Sequence, residues 1–255
     1  ATEGQGATLT PSTPAGGSPP PVAKSLLSRV LSNQHAPLLI ALVALVVVFS
    51  MLSPFFLTSA NMFNIGRQIA IVSVVAFGST IVIIAGEIDL SVGSVMALAS
   101  VAIGIVLSGT PIGAQGFDIN IIYALLVGLA VGLLVGMFNG MVTVFGRIPS
   151  FIVTLGTLSI ARGLALSYEG GVPDQITSRA FLAVFGDGSV LGIPVLVIGM
   201  LVTLGVTWFL LRGTLFGVQL YATGGNAEAA RLAGIPVSRV KIAALAMGGL
   251  LAGFA

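Results

Sequence analysis

The chain has 255 residues, of which 56% are hydrophobic and 7% are charged; soluble domains carry about 25% charged residues, so the composition excludes them and predicts a polytopic membrane protein. The net charge is only +2 and the basic residues are scattered, which fits positive-inside membrane topology better than a nucleic-acid partner. With no cysteine and a single histidine, His35, the chain offers no thiolate or histidine cluster, so we expect no metal site, no catalytic residues and no enzyme activity.

Two segments precede the first apolar run. Residues 1–22 are mostly Gly, Pro, Ser, Thr and Ala with one charge, Glu3, so they have little to bury and are predicted to form a disordered tail. Within residues 23–36, the apolar side chains between Lys24 and Leu31 share one helical face, which predicts a short helix lying in the membrane interface.

Long charge-free runs predict an all-α fold, a polytopic membrane helix bundle over residues 37–255. A span needs about 20 apolar residues, and the 34 glycines suit close helix packing in lipid. A seventh run starts near Lys241 and has 15 residues to Ala255, or about 22 Å of helix against about 30 Å of hydrocarbon. We therefore expect a truncated seventh span in a chain that lacks C-terminal spans. The six full spans are predicted at roughly 37–56, 65–85, 92–107, 121–145, 149–167 and 190–211.

Lysines and arginines in short loops predict the orientation of the bundle. If the N-terminus is cytoplasmic, the basic loop residues fall on the cytoplasmic side, and the opposite side receives mostly acidic residues with Arg179 as its one basic loop residue. This is the asymmetry that positive-inside topology requires, and it places the loop at 212–240 in the cytoplasm. The cytoplasmic basic residues are Lys24, Arg29, Arg147, Arg212, Arg231, Arg239 and Lys241.

A polar island at 224–236, between the sixth and seventh runs, is predicted to form one small helix. Asn226 is a good N-cap, Glu228 lies in the first turn, Arg231 lies towards the last turn, and Gly234 favours the end of the helix. So short a helix is not stable alone in water, so it must pack against something. Two interpretations stay open: a surface on which a soluble partner docks, or a connector lying on the membrane surface.

Ionisable and amide groups in or beside the spans are the remaining candidates. Glu87 and Asp89 lie at a membrane boundary, and three interpretations stay open: Asp89 or Ser91 caps the third span, the carboxylates belong to a pathway or gate, or they couple protons. Asn139 in the fourth span predicts an interhelical hydrogen bond or part of a solute path. Arg162, about 13 residues into the fifth span, is expected to face the protein interior or a wet cavity.

Three motifs on this frame carry a family resemblance. They lie at 85–93 (AGEIDLSVG), at 147–157 (RIPSFIVTLGT) and from Phe216 to Ile235, and with their flanking segments they cover nearly everything after Pro54. In this order they resemble the permease subunits of bacterial ABC importers for monosaccharides, the ribose/xylose/galactose branch. The chain has Glu87 where that family usually has a second glycine, and Val218 where arginine is common.

The resemblance implies the transmembrane subunit of an ATP-driven sugar importer in the bacterial inner membrane, with about ten spans in a lipid bilayer. It implies a second permease copy or homologue, an ATP-binding cassette subunit that binds ATP and Mg, and an extracytoplasmic sugar-binding protein that delivers sugar to outer loops around 109–120 and 168–189. No cofactor is expected in this chain, because no phosphate-binding loop G-x-x-x-x-G-K-[ST] occurs. The alternative is a stand-alone secondary transporter that uses Glu87 and Asp89 as ion-coupling carboxylates.

The resemblance also implies two sets of site residues. The coupling loop at 212–240 would seat its small helix in a groove of the ATPase subunit, and we expect Ala230 as well as its neighbours to face that groove. The coupling residues are Gly224, Gly225, Asn226, Glu228, Ala229, Arg231, Leu232, Gly234 and Ile235. The candidate translocation path or gate consists of Gly86, Glu87, Asp89, Ser91, Asn139 and Arg162.

Overall fold

The structure is a computed structural model that describes residues 36–108, 119–168 and 178–255. Within these residues the predicted all-α fold is confirmed. The exceptions are a π-helical turn (Leu182–Gly186) and a short β-hairpin in which β1 (Ser189–Val190) pairs antiparallel with β2 (Ile193–Pro194). The helices are α1 (Ala36–Leu52), α2 (Ser59–Ile84), α3 (Val92–Ser108), α4 (Ile119–Gly146), α5 (Ser150–Tyr168), α6 (Arg179–Phe181), α7 (Val195–Gly213), α8 (Leu215–Gly225), α9 (Ala227–Leu232) and α10 (Val237–Phe254).

Several predictions from the sequence fall outside the described residues. They are the tail at 1–22, the interfacial helix except for its last residue, and residues 109–118 and 169–177 of the two outer loops that would meet a sugar-binding protein.

The described residues form two compact units, one at 36–58 and one within 59–255. In the first unit, α1 is apolar and exposed around almost its whole circumference, and the rings of Phe49 and Phe56 stack with centroids 5.6 Å apart. A helix with this much apolar surface suits a lipid environment better than water.

In the described residues, seven apolar helices overlap the seven predicted spans. Five of them, α2, α4, α5, α7 and α10, are long and apolar enough to cross a membrane, while α1 and α3 are shorter. The seventh, α10, begins at Val237 rather than near Lys241 and has 18 residues, so it is not the shortened span that was expected.

The sixth span was predicted to begin at Val190, but α7 begins at Val195. The β1–β2 hairpin occupies the intervening residues, and it turns through Leu191 and Gly192, both with positive φ.

Glycines let α4 pack directly against the backbone of α10, the most buried of the five long helices. A Cβ added to Gly132 would lie 2.9 Å from the Cα of Gly253, and one added to Gly136 would lie 3.0 Å from the Cα of Gly249. No side chain fits between backbones at this separation, so the interface depends on glycine from both helices. Helix α10 also contacts α2, α3, α8 and α9, which makes it the central helix of the 59–255 unit.

The segment predicted as a cytoplasmic loop contains a helix that the sequence analysis missed. Helix α8 follows α7 almost directly, and its first turn is capped by Thr214, whose Oγ1 accepts a hydrogen bond from the amide of Gly217 at 3.3 Å. Leu220 of α8 is fully buried in a cluster with Ile81 of α2 and Ala244 of α10. Helix α8 is therefore part of the packed bundle rather than a free loop.

Candidate functional site

The predicted N-cap of α9 is present. The Asn226 Oδ1 accepts hydrogen bonds from the backbone amides of Glu228 and Ala229, both at 3.0 Å. These bonds satisfy two of the amides that a helix start leaves without a partner, and the Glu228 carboxylate lies in the first turn, where it favours the helix dipole.

The predicted C-terminal end of α9 is present too, and it has the geometry of a Schellman motif. Gly234 takes a φ of +83°. The amide of Ile235 donates to the carbonyl of Ala230, and the amide of Gly234 donates to the carbonyl of Arg231, both at 3.0 Å. Only glycine adopts this left-handed conformation without strain, so the helix is closed at both ends by its own sequence.

The two faces of α9 differ in exposure. Ala230 is only 4% exposed because it packs against this chain, whereas Leu232 on the other face is 85% exposed. The expectation that Ala230 faces a partner is therefore wrong, and the available face carries Glu228, Ala229 and Leu232. An exposed leucine on a short polar helix presents an apolar surface that the described residues leave uncovered.

Helix α8 ends against the connection between α2 and α3. A Cβ on Gly224 would overlap the carbonyl oxygen of Ile84 and lie 3.2 Å from the carbonyl carbon of Ala85. Gly86 has a φ of +78°, and a Cβ on it would lie 3.5 Å from the Cα of Gly224. The first and third sequence motifs thus meet backbone to backbone, and Gly225 continues directly into the Asn226 cap.

The connection between α2 and α3, residues 85–91, is held by side chains of α5. The amide of Ile88 donates to Ser150 Oγ at 3.0 Å, and the amide of Leu90 donates to Thr154 Oγ1 at 3.1 Å. These backbone groups lack helical partners, and unpaired amides at a membrane boundary are costly. We refer to residues 85–91 as the junction.

A buried polar network continues from the junction into α4 and α5. Asp89 Oδ1 accepts hydrogen bonds from the Ser91 amide at 2.8 Å and from Ser91 Oγ at 2.6 Å. Asn139 Nδ2 donates to Ser91 Oγ at 3.1 Å, while Asn139 Oδ1 accepts from Thr157 Oγ1 at 2.5 Å. The interhelical hydrogen bond predicted for Asn139 is therefore present between α4 and α5, and Asn139 also ties both helices to the junction.

Asp89 lies in the junction, outside the helices. Burial raises the pKa of its carboxyl above the ordinary value, while the two hydrogen bonds from Ser91 act in the opposite direction. Because the carboxylate fixes Ser91, the residue immediately before α3, the geometry suits an orienting role at the helix start.

Glu87 forms an ion pair with Lys241 in the first turns of α10. The Glu87 side chain is only 7% exposed, and that of Lys241 is 28% exposed. A buried carboxylate needs a nearby opposite charge, so the pair supplies a reason for glutamate at this position and ties the junction to α10.

A cleft of about 490 Å³ opens where the junction meets α9. Its walls come from the junction, the end of α4, the turn into α5, α9 and the start of α10. Its lining includes Glu87, Thr143, Arg147, Arg231 and Lys241. Among residues 36–108, 119–168 and 178–255, no three His, Cys, Asp or Glu side chains are grouped as a metal site would require.

Arg162 does not join these residues. Its side chain is exposed on the surface of α5, so the expected interior position within this chain is wrong. Depth along a helix does not fix the face on which a residue lies, and α5 turns its Ser150, Thr154 and Thr157 side inwards instead.

The groups that hold the junction were not predicted from the sequence. Ser150, Thr154 and Thr157 recur at intervals of four and three residues in an otherwise apolar run, which is the spacing of one helical face. Lys241 was assigned to topology alone, because its partner lies more than 150 residues away in the chain.

A bundle of apolar helices with a buried polar network and several polar groups at one end is typical of an integral membrane protein. Residues 61–255 match the family described as branched-chain amino acid transport system / permease component. The chain belongs to this family of transport components, and it is a multi-pass protein of the bacterial inner membrane.

Curated relatives agree with this assignment. The chain is 41% identical over 218 residues to the ribose import permease protein of Bacillus subtilis (strain 168), covering 85% of this chain and 65% of the relative. It is 39% identical to the ribose import permease protein of Escherichia coli (strain K12), over 85% of this chain and 66% of the relative. It is 34% identical to the L-arabinose ABC transporter permease protein of Azospirillum brasilense, over 88% of this chain and 63% of the relative.

The chain thus spans about two thirds of the length of these relatives. No solved structure matches it.

Proposed function

We propose that the chain is the membrane-spanning subunit of an ATP-driven ABC importer and forms the translocation path for a small sugar. The observation that carries the proposal is the similarity to permeases named for ribose and L-arabinose, at 34–41% identity over most of this chain. A neutral, hydroxyl-rich solute needs no fixed countercharge, which agrees with the scarcity of charges in the spans.

The stand-alone, ion-coupled transporter is less well supported by the geometry. Its two coupling carboxylates would have to bind and release ions. Glu87 is instead paired with Lys241, and Asp89 accepts two hydrogen bonds from Ser91. Both carboxylates therefore have structural partners.

In this proposal, α9 docks in a groove of an ATP-binding cassette subunit, which binds ATP and Mg. The support is local: α9 is closed by its own caps, presents Leu232 to the outside, and is backed by the packed helix α8. A rigid helix that packs on the bundle can transmit a displacement of the ATPase subunit to the spans, whereas a frayed loop cannot. Gly224, Gly225 and the Asn226 cap would hold it in position, and Gly234 with Ile235 would end it.

The junction and the polar network are the proposed inner part of the translocation path or its gate. Gly86 lies against Gly224 of α8, and Glu87 pairs with Lys241 of α10. Asp89, Ser91 and Asn139 reach the interior of the bundle. Arg162, exposed on α5, would face a second permease copy or another part of the path. An extracytoplasmic sugar-binding protein would deliver the sugar from the opposite side.

The test uses the full-length importer reconstituted in vesicles, with ATPase activity measured in the presence of sugar-loaded binding protein. The double variant Asn226→Ala, Ala229→Gly should destabilise α9 by about 2 kcal/mol, from the lost cap and the added glycine. Stimulated ATPase activity and sugar uptake should both fall, while the amount of inserted protein should stay unchanged.

Ser178→Ala is the matched control, because it removes the cap of α6, where Ser178 Oγ accepts from the amide of Phe181 at 3.4 Å. This variant should behave like the wild type. Uptake without any ATPase, driven by a proton or sodium gradient, would instead establish the ion-coupled transporter.

A further inference from the structure

The cleft beside α9 is positively charged. Arg147, Arg231 and Lys241 line it from three different elements, and Glu87 is the one acidic residue that the described part of the chain contributes to its lining. Because Glu87 is paired with Lys241, the described cleft lining has no acidic partner for Arg147 and Arg231. Neither arginine forms an ion pair within the described parts of the chain. The lining therefore has two guanidinium groups available to an anion.

A second feature of the cleft is a hydroxyl without a partner. Thr143 is only 8% exposed, it lines the cleft, and its Oγ1 has no hydrogen-bond partner among the residues that the structure describes. Buried polar atoms in folded proteins are nearly always hydrogen-bonded. An acceptor that enters the cleft would supply the missing bond.

The backbone of Arg147 adds a third observation. This residue has a φ of 54°, in the left-handed region that is unfavourable for residues with a long side chain. Glycine would fit this turn between α4 and α5 without strain. A strained arginine on the rim of a charged cleft is the pattern expected where the side chain serves a function.

We infer that the cleft receives an acidic side chain of the ATP-hydrolysing subunit, whose carboxylate binds Arg147, Arg231 and Thr143. This inference rests on the proposed function. Arginine binds carboxylates through two parallel hydrogen bonds, and α9 itself forms one wall through Ala227 and Arg231. Whatever docks on α9 therefore lies next to the opening of the cleft.

Zero-length carbodiimide cross-linking of the full-length complex tests this directly, because it joins a carboxylate to an amine in contact. Arg147→Lys and Arg231→Lys place new amines in the cleft. Lys241 is an amine in the wild type as well, so any adduct through Lys241 is a background common to all variants. Each should yield an adduct with the ATPase subunit, which mass spectrometry assigns to an Asp or Glu. Arg239→Lys is the matched control, since Arg239 is exposed in the first turn of α10 and does not line the cleft.

Affinity measurements separate binding from folding. Arg147→Gly relieves the strained turn, so it should raise the thermal midpoint of the permease while weakening its binding to the ATPase subunit roughly tenfold or more, as expected for the loss of a charged hydrogen bond. Thr143→Val should weaken binding without changing the charge. A purely structural Arg147 would give no loss of affinity in the stabilised variant.

The outcomes distinguish the inference from the proposed function. If the ATPase subunit binds the wild type but forms no cleft adduct and binds Arg147→Gly equally well, the inference is overturned and the proposed function stands. If no ATPase subunit binds the wild type, the proposed function fails. Adducts that form in neutral-lipid nanodiscs but disappear with phosphatidylglycerol, or with inorganic phosphate at millimolar concentration, would assign the cleft to a phosphate group and overturn the inference.

Discussion

Replacing Gly136 by alanine tests the packing of α4 on α10. The added Cβ would lie 3.0 Å from the Cα atoms of Ala246 and Gly249 and would overlap the carbonyl oxygen of Leu245. Carbon atoms in contact normally lie about 3.5–4.0 Å apart, so the two helices must separate locally by about 0.5–1 Å. No flexible side chain can move aside, which puts the cost near the upper end of overpacking, about 3 kcal/mol.

Alanine returns about 1 kcal/mol through its higher helix propensity, so Gly136→Ala should lose about 2 kcal/mol in net stability. Gly156→Ala in α5 is the matched control, because no atom of the described residues lies within 4 Å of its added Cβ, and this variant should gain up to about 1 kcal/mol. The measurement is SDS-induced unfolding of the purified proteins, followed by far-UV circular dichroism.

The two variants should therefore differ by about 3 kcal/mol. Equal unfolding curves for Gly136→Ala and Gly156→Ala would mean that α4 and α10 do not approach as closely as described. Adding Gly132→Ala to Gly136→Ala should cost less than the sum of the single changes, because one displacement of α10 relieves both overlaps.

Three further predictions concern the junction and the orientation of the bundle. Lys241→Met should lower the free energy of unfolding by about 3 kcal/mol because it leaves the buried carboxylate of Glu87 without a partner, whereas Glu87→Gln should cost less because Lys241 is partly exposed. The double variant should recover part of the loss. A cost for Glu87→Gln equal to that of Lys241→Met would contradict the burial argument. Asn139→Leu should lower the same free energy by about 2–3 kcal/mol, since it removes two buried hydrogen bonds; an unchanged unfolding curve would mean that the network is dispensable. In the naturally cysteine-free chain, Ala227→Cys should resist an impermeant maleimide in intact cells while Leu191→Cys should react, and the reverse pattern would invert the predicted orientation.

The helices were predictable because each has a local signature. Charge-free runs of sufficient length predicted the positions of the seven apolar helices, and Asn226 with Gly234 predicted both ends of α9 from cap chemistry alone. Helix α8 was missed because it is an 11-residue helix whose sequence carries no strong periodicity, and it is held by Leu220 packing into other helices rather than by its own propensity.

The contacts of the candidate site were less predictable, because they join residues that are distant in the chain. Nothing local in Glu87 indicates Lys241 as its partner, and the exposed face of Arg162 depends on which side of α5 packs inwards. The close approach of α4 to α10 did have a signal, since Gly132 and Gly136 belong to a series with a glycine at every fourth position. That spacing places the glycines on one helical face and favours a backbone contact.

The hydrogen bonds between the junction and α5 also constrain how the protein is made. The hydrogen-bond partner of the Ile88 amide is Ser150, which is synthesised 62 residues later. The partner of the Leu90 amide is Thr154, which is synthesised 64 residues later. At synthesis rates of about 5–20 residues per second, the ribosome needs roughly 3–12 s to supply these hydroxyls. During that interval α2 and α3 must keep the junction at the wet boundary of the bilayer, because its amides have only water to bind. The final seating of the α2–α3 pair therefore comes after the insertion of α5, so biogenesis of this half of the protein ends with a docking step rather than with sequential insertion.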